Sequence, residues 1–161
     1  MKEIPLSQGK VAQVSDCRFE NISQWKWYAM YNYGNWYAVR YCENNQLQTT
    51  ILMHQEIMMF PGIDIDHWDG DGLNNQDENL RLCTPSQNGA NRRVNKNNTS
   101  GYKGVYLHQE TNKWEAHIKV NYKTIYIGVF LSAIDAAHAY DKIARRYFGE
   151  FAKTNFPGDE R

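Results

Sequence analysis

Cysteine is scarce and badly placed for metal. Three cysteines, at positions 17, 42 and 83, are spread over 161 residues with no CxxC pair. That spacing excludes a four-thiolate zinc site. An odd, widely spaced set points to reduced thiols in a cytosol-like compartment rather than to a disulfide framework. Long apolar runs are missing too. No stretch approaches the roughly 20 residues that span a bilayer, so no membrane partner is expected. The first fifteen residues lack the apolar core of a secretory leader, and the expected location is the cytoplasm. Net charge is zero, but the zero conceals a split. Residues 1–90 carry 6 Lys/Arg against 11 Asp/Glu, a net of −5. Residues 91–155 carry 11 against 5, a net of +6, and the last six residues restore the balance with −1. An acidic half joined to a basic half suits a metal site linked to a polyanion-binding module; it also suits two solvated surfaces that merely differ.

What the chain does have is aromatic mass, 14% of residues, within a hydrophobic share of 42%. This suffices for one ordinary domain or two small ones. WKWYAMY (25–31), WYAVRYC (36–42) and LQTTILMHQEIMMF (47–60) alternate or carry β-formers, which predicts strands. YNYGNW holds a Gly-Asn turn signal, so 25–42 reads as a hairpin. ENNQ (43–46) reads as a second turn, HQEIMMF as strand or short helix, and Pro61-Gly62 as a break. Thr84-Pro85-Ser86 reads as the start of a short helix reaching about Arg92. RRVNKNNTSG (92–101), basic and without hydrophobic period, reads as a linker. YKGVYLH, KWEAHIKV and TIYIGVF predict three further strands. Ser132 as N-cap, Ala and Tyr at helical spacing from Ala133 to Tyr147, and Gly149 as terminator predict a helix of about 17 residues.

The chemistry concentrates in IDIDHWDGDGLNNQDENLRLCTPSQNGANR (63–92), with five Asp, one Glu, five Asn and a single His. A carboxylate at a strand end, Asp66, binds a hard cation, while the neighbouring His67 points to the other side of the pleat and accepts a proton. Asn79 lies on the next strand candidate and Asn88 on the helix after it. Phosphodiester hydrolysis needs such parts: a cation to neutralise the phosphate, an imidazole to deprotonate water, and a polar group to orient that imidazole. Mg²⁺ keeps several waters, so one carboxylate and one amide oxygen suffice as ligands. Asp69, Asp71 and Asp77 suggest a calcium loop instead, but DGDGLNNQD lacks the EF-hand spacing and its terminal Glu.

Asp66-His67, ENLR (78–81) and SQNGANR (86–92) resemble the HNH endonucleases of the ββα-metal class, and most of all the zinc-free branch of phage homing endonucleases. IPLSQGKVA (4–12), WKWYA (25–29) and MHQEI (53–57) resemble the segments that precede that core. The resemblance implies His67 as general base, Asn79 as the group orienting it, and Asp66 with the Asn88 amide oxygen on a single Mg²⁺ or Mn²⁺, with no structural zinc. It implies 5′-phosphate and 3′-hydroxyl products. His54 matches a further recurrent His and is a possible additional site residue, and Arg81 and Arg92 are candidate phosphate neighbours.

SGYKGVYLHQETNKWEAHIKVNYKTIYIGVFLSAIDAAHAYDKIARRYFGEFAKTNFP (100–157) resembles the plant ethylene-response-factor (APETALA-two) DNA-binding domain. That implies a three-stranded antiparallel sheet entering the major groove with a helix behind it. The groove-facing candidates are Lys103, Tyr106, Trp114, His117, Lys119, Thr124 and Tyr126. Plant members often carry Arg where Lys103, Tyr106, Lys119 and Thr124 stand, so base specificity should differ. The expectation is an α+β protein: an HNH nuclease domain with a β-rich extension (1–93), a linker (94–100) and a DNA-binding domain (101–161). It would act on double-stranded DNA as monomer or homodimer. The alternatives are a catalytically inactive DNA-binding regulator and a structure-selective RNA or DNA binder.

Overall fold

Ile4, Ala12 and Val14 alternate with polar neighbours, and that pattern pairs β1 (Lys2–Pro5) antiparallel with β2 (Val11–Val14). The computed structural model describes residues 1–44, 47–59, 62–95 and 97–159. It is a mixed α+β structure of several small sheets and few helices, in two compact units, Met1–Cys83 and Thr84–Arg161.

In the first unit a short helix, α1 (Phe19–Ser23), buries Ile22 ahead of the first strand read from the sequence. The expected hairpin follows as β3 (Tyr28–Asn32) and β4 (Asn35–Asn44). Its two loop residues are Tyr33 and Gly34, both at positive φ, rather than the Gly-Asn pair. β5 (Leu47–Leu52) pairs with β4; the turn expected between them includes Asn45 and Gln46, which lie outside the described residues, as does Pro61. Of the two readings of HQEIMMF the helix forms, as α2 (Met53–Met58). β6 (Asp64–His67) pairs antiparallel with β8 (Leu80–Cys83). Between them β7 (Asn74–Asn75) adds a parallel edge to β2. One core of Ile4, Val14, Ile22, Trp27, Ala38, Met53, Ile57, Ile65 and Leu80 draws on β1, β2, α1, β4, α2, β6 and β8.

The second unit opens with α3 (Pro85–Asn91). A capping box between Thr84 and Gln87 and Pro85 in the first turn start it, as its sequence predicts. β9 (Val105–His108), β10 (Lys113–Val120) and β11 (Lys123–Phe130) form an antiparallel sheet in the order β11-β10-β9. α4 (Ala133–Phe148), 16 residues long and capped by the Ser132 side chain, packs Ala136, Ala137, Tyr140 and Ala144 toward that sheet. Ala90 of α3 belongs to the same core as Ile118, Tyr140 and Phe148. The division between the two compact units falls between Cys83 and Thr84. Among the described residues no helix is long and apolar enough to cross a membrane.

Candidate active site and nucleic-acid interface

The β6–β8 register sets Asp66 opposite Arg81 and His67 opposite Leu80. Asp66, only 5% exposed, takes two charge-assisted bonds on Oδ2, from Arg81 Nε at 2.9 Å and Nη2 at 2.7 Å. Arg81, expected beside a DNA phosphate, is thus part of the carboxylate's own support. His67 is also buried. Its ring meets the buried His54 of α2 edge-on, with centroids 4.9 Å apart and planes at 89°. Tyr37 of β4 lies 6.1 Å from each imidazole. Gly72 makes room for that tyrosine: a Cβ there would overlap the Tyr37 ring, whose Cε1 and Cδ1 lie 2.6 and 2.7 Å away.

His67 Nε2 faces Asn75 Oδ1 at 3.4 Å. Asn75, fully buried, was missed by sequence reasoning; its place depends on the parallel bridge pairing Val14 with Asn75, which no local pattern announces. Asn79, expected to orient His67, serves the loop instead. Its Oδ1 accepts from Asp69 N, and its Nδ2 donates to Asp69 Oδ1 and to Asn74 O, so both amide hydrogens are taken. Asp69 also accepts from Asp71 N and Asn74 Nδ2, which makes it the hub of the 68–79 loop. Burial works to raise its carboxyl, but the bonds from Asp71, Asn74 and Asn79 prevail and hold it below the usual range. The calcium-loop alternative loses Asp77 to an ion pair with Arg18 at 2.8 Å.

Burial pushes the His54 imidazole down to about 3, with His67 adding to the effect, and burial also lowers His67 against the pull of Asn75, Asp69, Asp66 and Asp71. Both shifts favour the neutral ring at neutral pH. A histidine depressed on folding stabilises the protein above its unfolded value and withdraws that stability as pH falls through the folded value. The window here runs from 6.5 down to about 3. Thermal melts of wild type and His54→Gln between pH 7.5 and pH 5 should diverge, wild type losing about 1.4 kcal/mol more per pH unit below roughly 6.5. Parallel curves would show that His54 does not carry the effect.

Among the described residues no group of three or more His, Cys, Asp or Glu side chains is gathered to hold a metal ion. The donor set on β6 and α2, one buried carboxylate near neutral imidazoles, does have the chemistry of a site where a divalent cation keeps most of its waters. Asn88, the other expected ligand, lies half-buried on α3 in the second unit, its backbone N–H bonded to Thr84 O at 3.0 Å.

In that unit the pleat of β10 sorts the nucleic-acid candidates. Trp114 shares a face with Ala116 and Ile118 and packs in the helix-side core. It therefore lies away from the groove-facing side expected of it. The opposite face presents Tyr106, His117 and Tyr126 as a row of rings, with His117 5.8 Å from Tyr106 and 5.3 Å from Tyr126. Lys119 and Thr124 sit exposed and directly paired beside them. Glu115 Oε2 holds His117 Nε2 at 3.0 Å. Lys103 turns inward: its ammonium donates to the carbonyls of Ala90 and of Arg92, the latter at 2.7 Å, where the last turn of α3 leaves carbonyls without partners in the helix itself. Burial lowers its value to about 8. Arg92 caps the end of α3 and is exposed.

A family model for HNH endonucleases matches residues 60–90. The chain is 33% identical over 149 residues to the uncharacterized HNH endonuclease L560 of Acanthamoeba polyphaga mimivirus, across 92% of this chain and 76% of that protein. The chain belongs to the HNH endonuclease family. Parts of this HNH nuclease also match other proteins. It is 36% identical over 88 residues to the AP2-like ethylene-responsive transcription factor TOE2 of Arabidopsis thaliana, covering 54% of this chain and 18% of that one. It is 42% identical over 57 residues to protein 3.8 of Escherichia phage T7, covering 35% of this chain and 47% of that one. The matched segment of the nuclease, 60–90, holds Asp66, His67, Asn75, Asn79, Arg81 and Asn88.

Proposed function

We propose that this HNH nuclease hydrolyses DNA phosphodiester bonds with His67 as general base and is targeted by its second unit. The observation that carries the reading is the buried His67 imidazole, 3.4 Å from Asn75 Oδ1, next to the Arg81-anchored Asp66 on one strand. Asp66 would help hold a divalent cation, Mg²⁺ or Mn²⁺. When bound, such a cation neutralises charge on the phosphate and stabilises the leaving oxygen. His67 takes the proton of the attacking water. Asn75 and the edge-on His54 ring restrict the plane of that imidazole, and Asn79 acts on it indirectly by tying down the 68–79 loop. Arg81 fixes the Asp66 carboxylate against rotation through two donors to one oxygen. A nicking assay on supercoiled plasmid, with Mg²⁺ and then with chelator, tests the reading. Chelator-sensitive conversion to open circles is expected; an inert protein under both conditions would leave the alternative of a DNA-binding regulator.

The exposed row of Tyr106, His117 and Tyr126 with Lys119 and Thr124 supports a sheet that meets double-stranded DNA. Affinity for a duplex should then fall as salt rises, by roughly 0.9 in log–log slope for each phosphate neutralised. Anisotropy titrations at several salt concentrations measure this, and a flat profile would argue against a sheet that grips the backbone.

A further inference from the structure

The second unit contains a cleft of about 460 Å³ between α3 and the sheet, lined among others by Ser86, Arg92, Tyr106, His117, Lys119 and Tyr122. The volume lies in the range of about 300–1,000 Å³ that small-ligand clefts occupy, too small for a stretch of duplex. Its lining includes Arg92, Lys103 and Lys119 and no acidic side chain. Lys103 spends its ammonium on the α3 carbonyls, so the cations facing a ligand are Arg92 and the exposed Lys119. The cleft walls are tied together: Ser86 Oγ accepts from Asn121 N at 3.0 Å, and Ala90 O accepts from Lys153 N at 3.2 Å.

Tyr122 stands out at the rim. β10 and β11 are joined by a two-residue turn, Asn121-Tyr122, with φ of +46° and +66°. Such turns favour glycine at the second position, because a side chain there is strained. A bulky tyrosine, 77% exposed, occupies it instead. Strain without a packing gain points to a contact made with something else.

We infer that this cleft binds one unpaired deoxynucleotide of the bound DNA, its base stacked on Tyr122 and its phosphate beside Arg92 and Lys119. The inference rests on the reading that the second unit binds DNA. Aromatic rings stack on any base, and cations beside them take the phosphate, so the site is indifferent to sequence. It would give the protein a preference for DNA with a flipped, bulged or frayed nucleotide.

The test uses the full chain with chelator present, so that nothing is cut. Anisotropy measures affinity for a labelled duplex and for the same duplex carrying one unpaired nucleotide. Wild type should bind the bulged duplex about fivefold or more tightly, the lower end of what stacking on an aromatic ring supplies. Tyr122→Gly, which also suits the turn, should lose the preference while binding the paired duplex as before; Tyr122→Phe should keep it. Equal affinity of wild type for both duplexes overturns the inference and leaves the DNA-binding reading intact. So does a preference that survives in Tyr122→Gly. Binding to neither duplex defeats the DNA-binding reading and this inference with it.

Discussion

His67→Ala should cleave DNA about 10²–10⁴ times more slowly than wild type, the usual cost of losing a general base. That is about 2.7–5.4 kcal/mol of barrier, the largest effect expected of any single side chain here. Duplex affinity should not change, because the exposed rings and lysine that support DNA binding belong to β9, β10 and β11. Removing a buried ring also leaves a cavity, so the rate must be read beside a melting curve and beside His67→Gln, which preserves much of the volume but cannot accept a proton at neutral pH. If both variants are equally slow and both remain folded, the loss is chemical. Near-wild-type cleavage by a folded His67→Ala protein would remove His67 as the base.

Gly104→Ala should be the most damaging substitution in the second unit. Gly104 sits at φ +74°, and its new Cβ would overlap the Tyr140 ring and approach His117 O to 2.7 Å. Neither neighbour can retreat cheaply: Tyr140 is buried in the α4 core, and Gly104 O accepts from His117 N at 2.8 Å. Left-handed strain of roughly 1–2 kcal/mol and overpacking of roughly 1–3 kcal/mol together predict a loss of about 2–5 kcal/mol. For a unit of this size that lowers the melting temperature by about 10 °C or more. Gly101→Ala is the control. Gly101 has a similar φ of +77° but open space around its Cβ, so it should cost only the backbone strain. Calorimetry on both variants decides the matter; equal losses would mean that Tyr140 gives way freely.

The sequence by itself determined the local structure. Apolar–polar alternation located β3, β4, β5, β9, β10 and β11, the Thr84-Pro85 and Ser132 signals started α3 and α4 where they begin, and the Asp66-His67 pair marked the strand that bears the candidate chemistry. These are properties of one to a few turns of chain, so neighbours in sequence suffice to set them. The short elements α1 and β7 were not legible in this way. The partners of those residues were decided only by tertiary structure. Asn75 meets His67 because β7 bridges to β2, about sixty positions earlier in the chain. His54 reaches the same ring from α2. Arg81 faces Asp66 through strand register. Lys103 looks like a phosphate ligand along the chain and becomes a helix cap in the fold, because the last carbonyls of α3 have no N–H of their own helix to pair with and lie within its reach. Residue type and spacing say which chemistry a side chain can perform; which neighbour it performs it with depends on contacts between segments that local patterns do not encode.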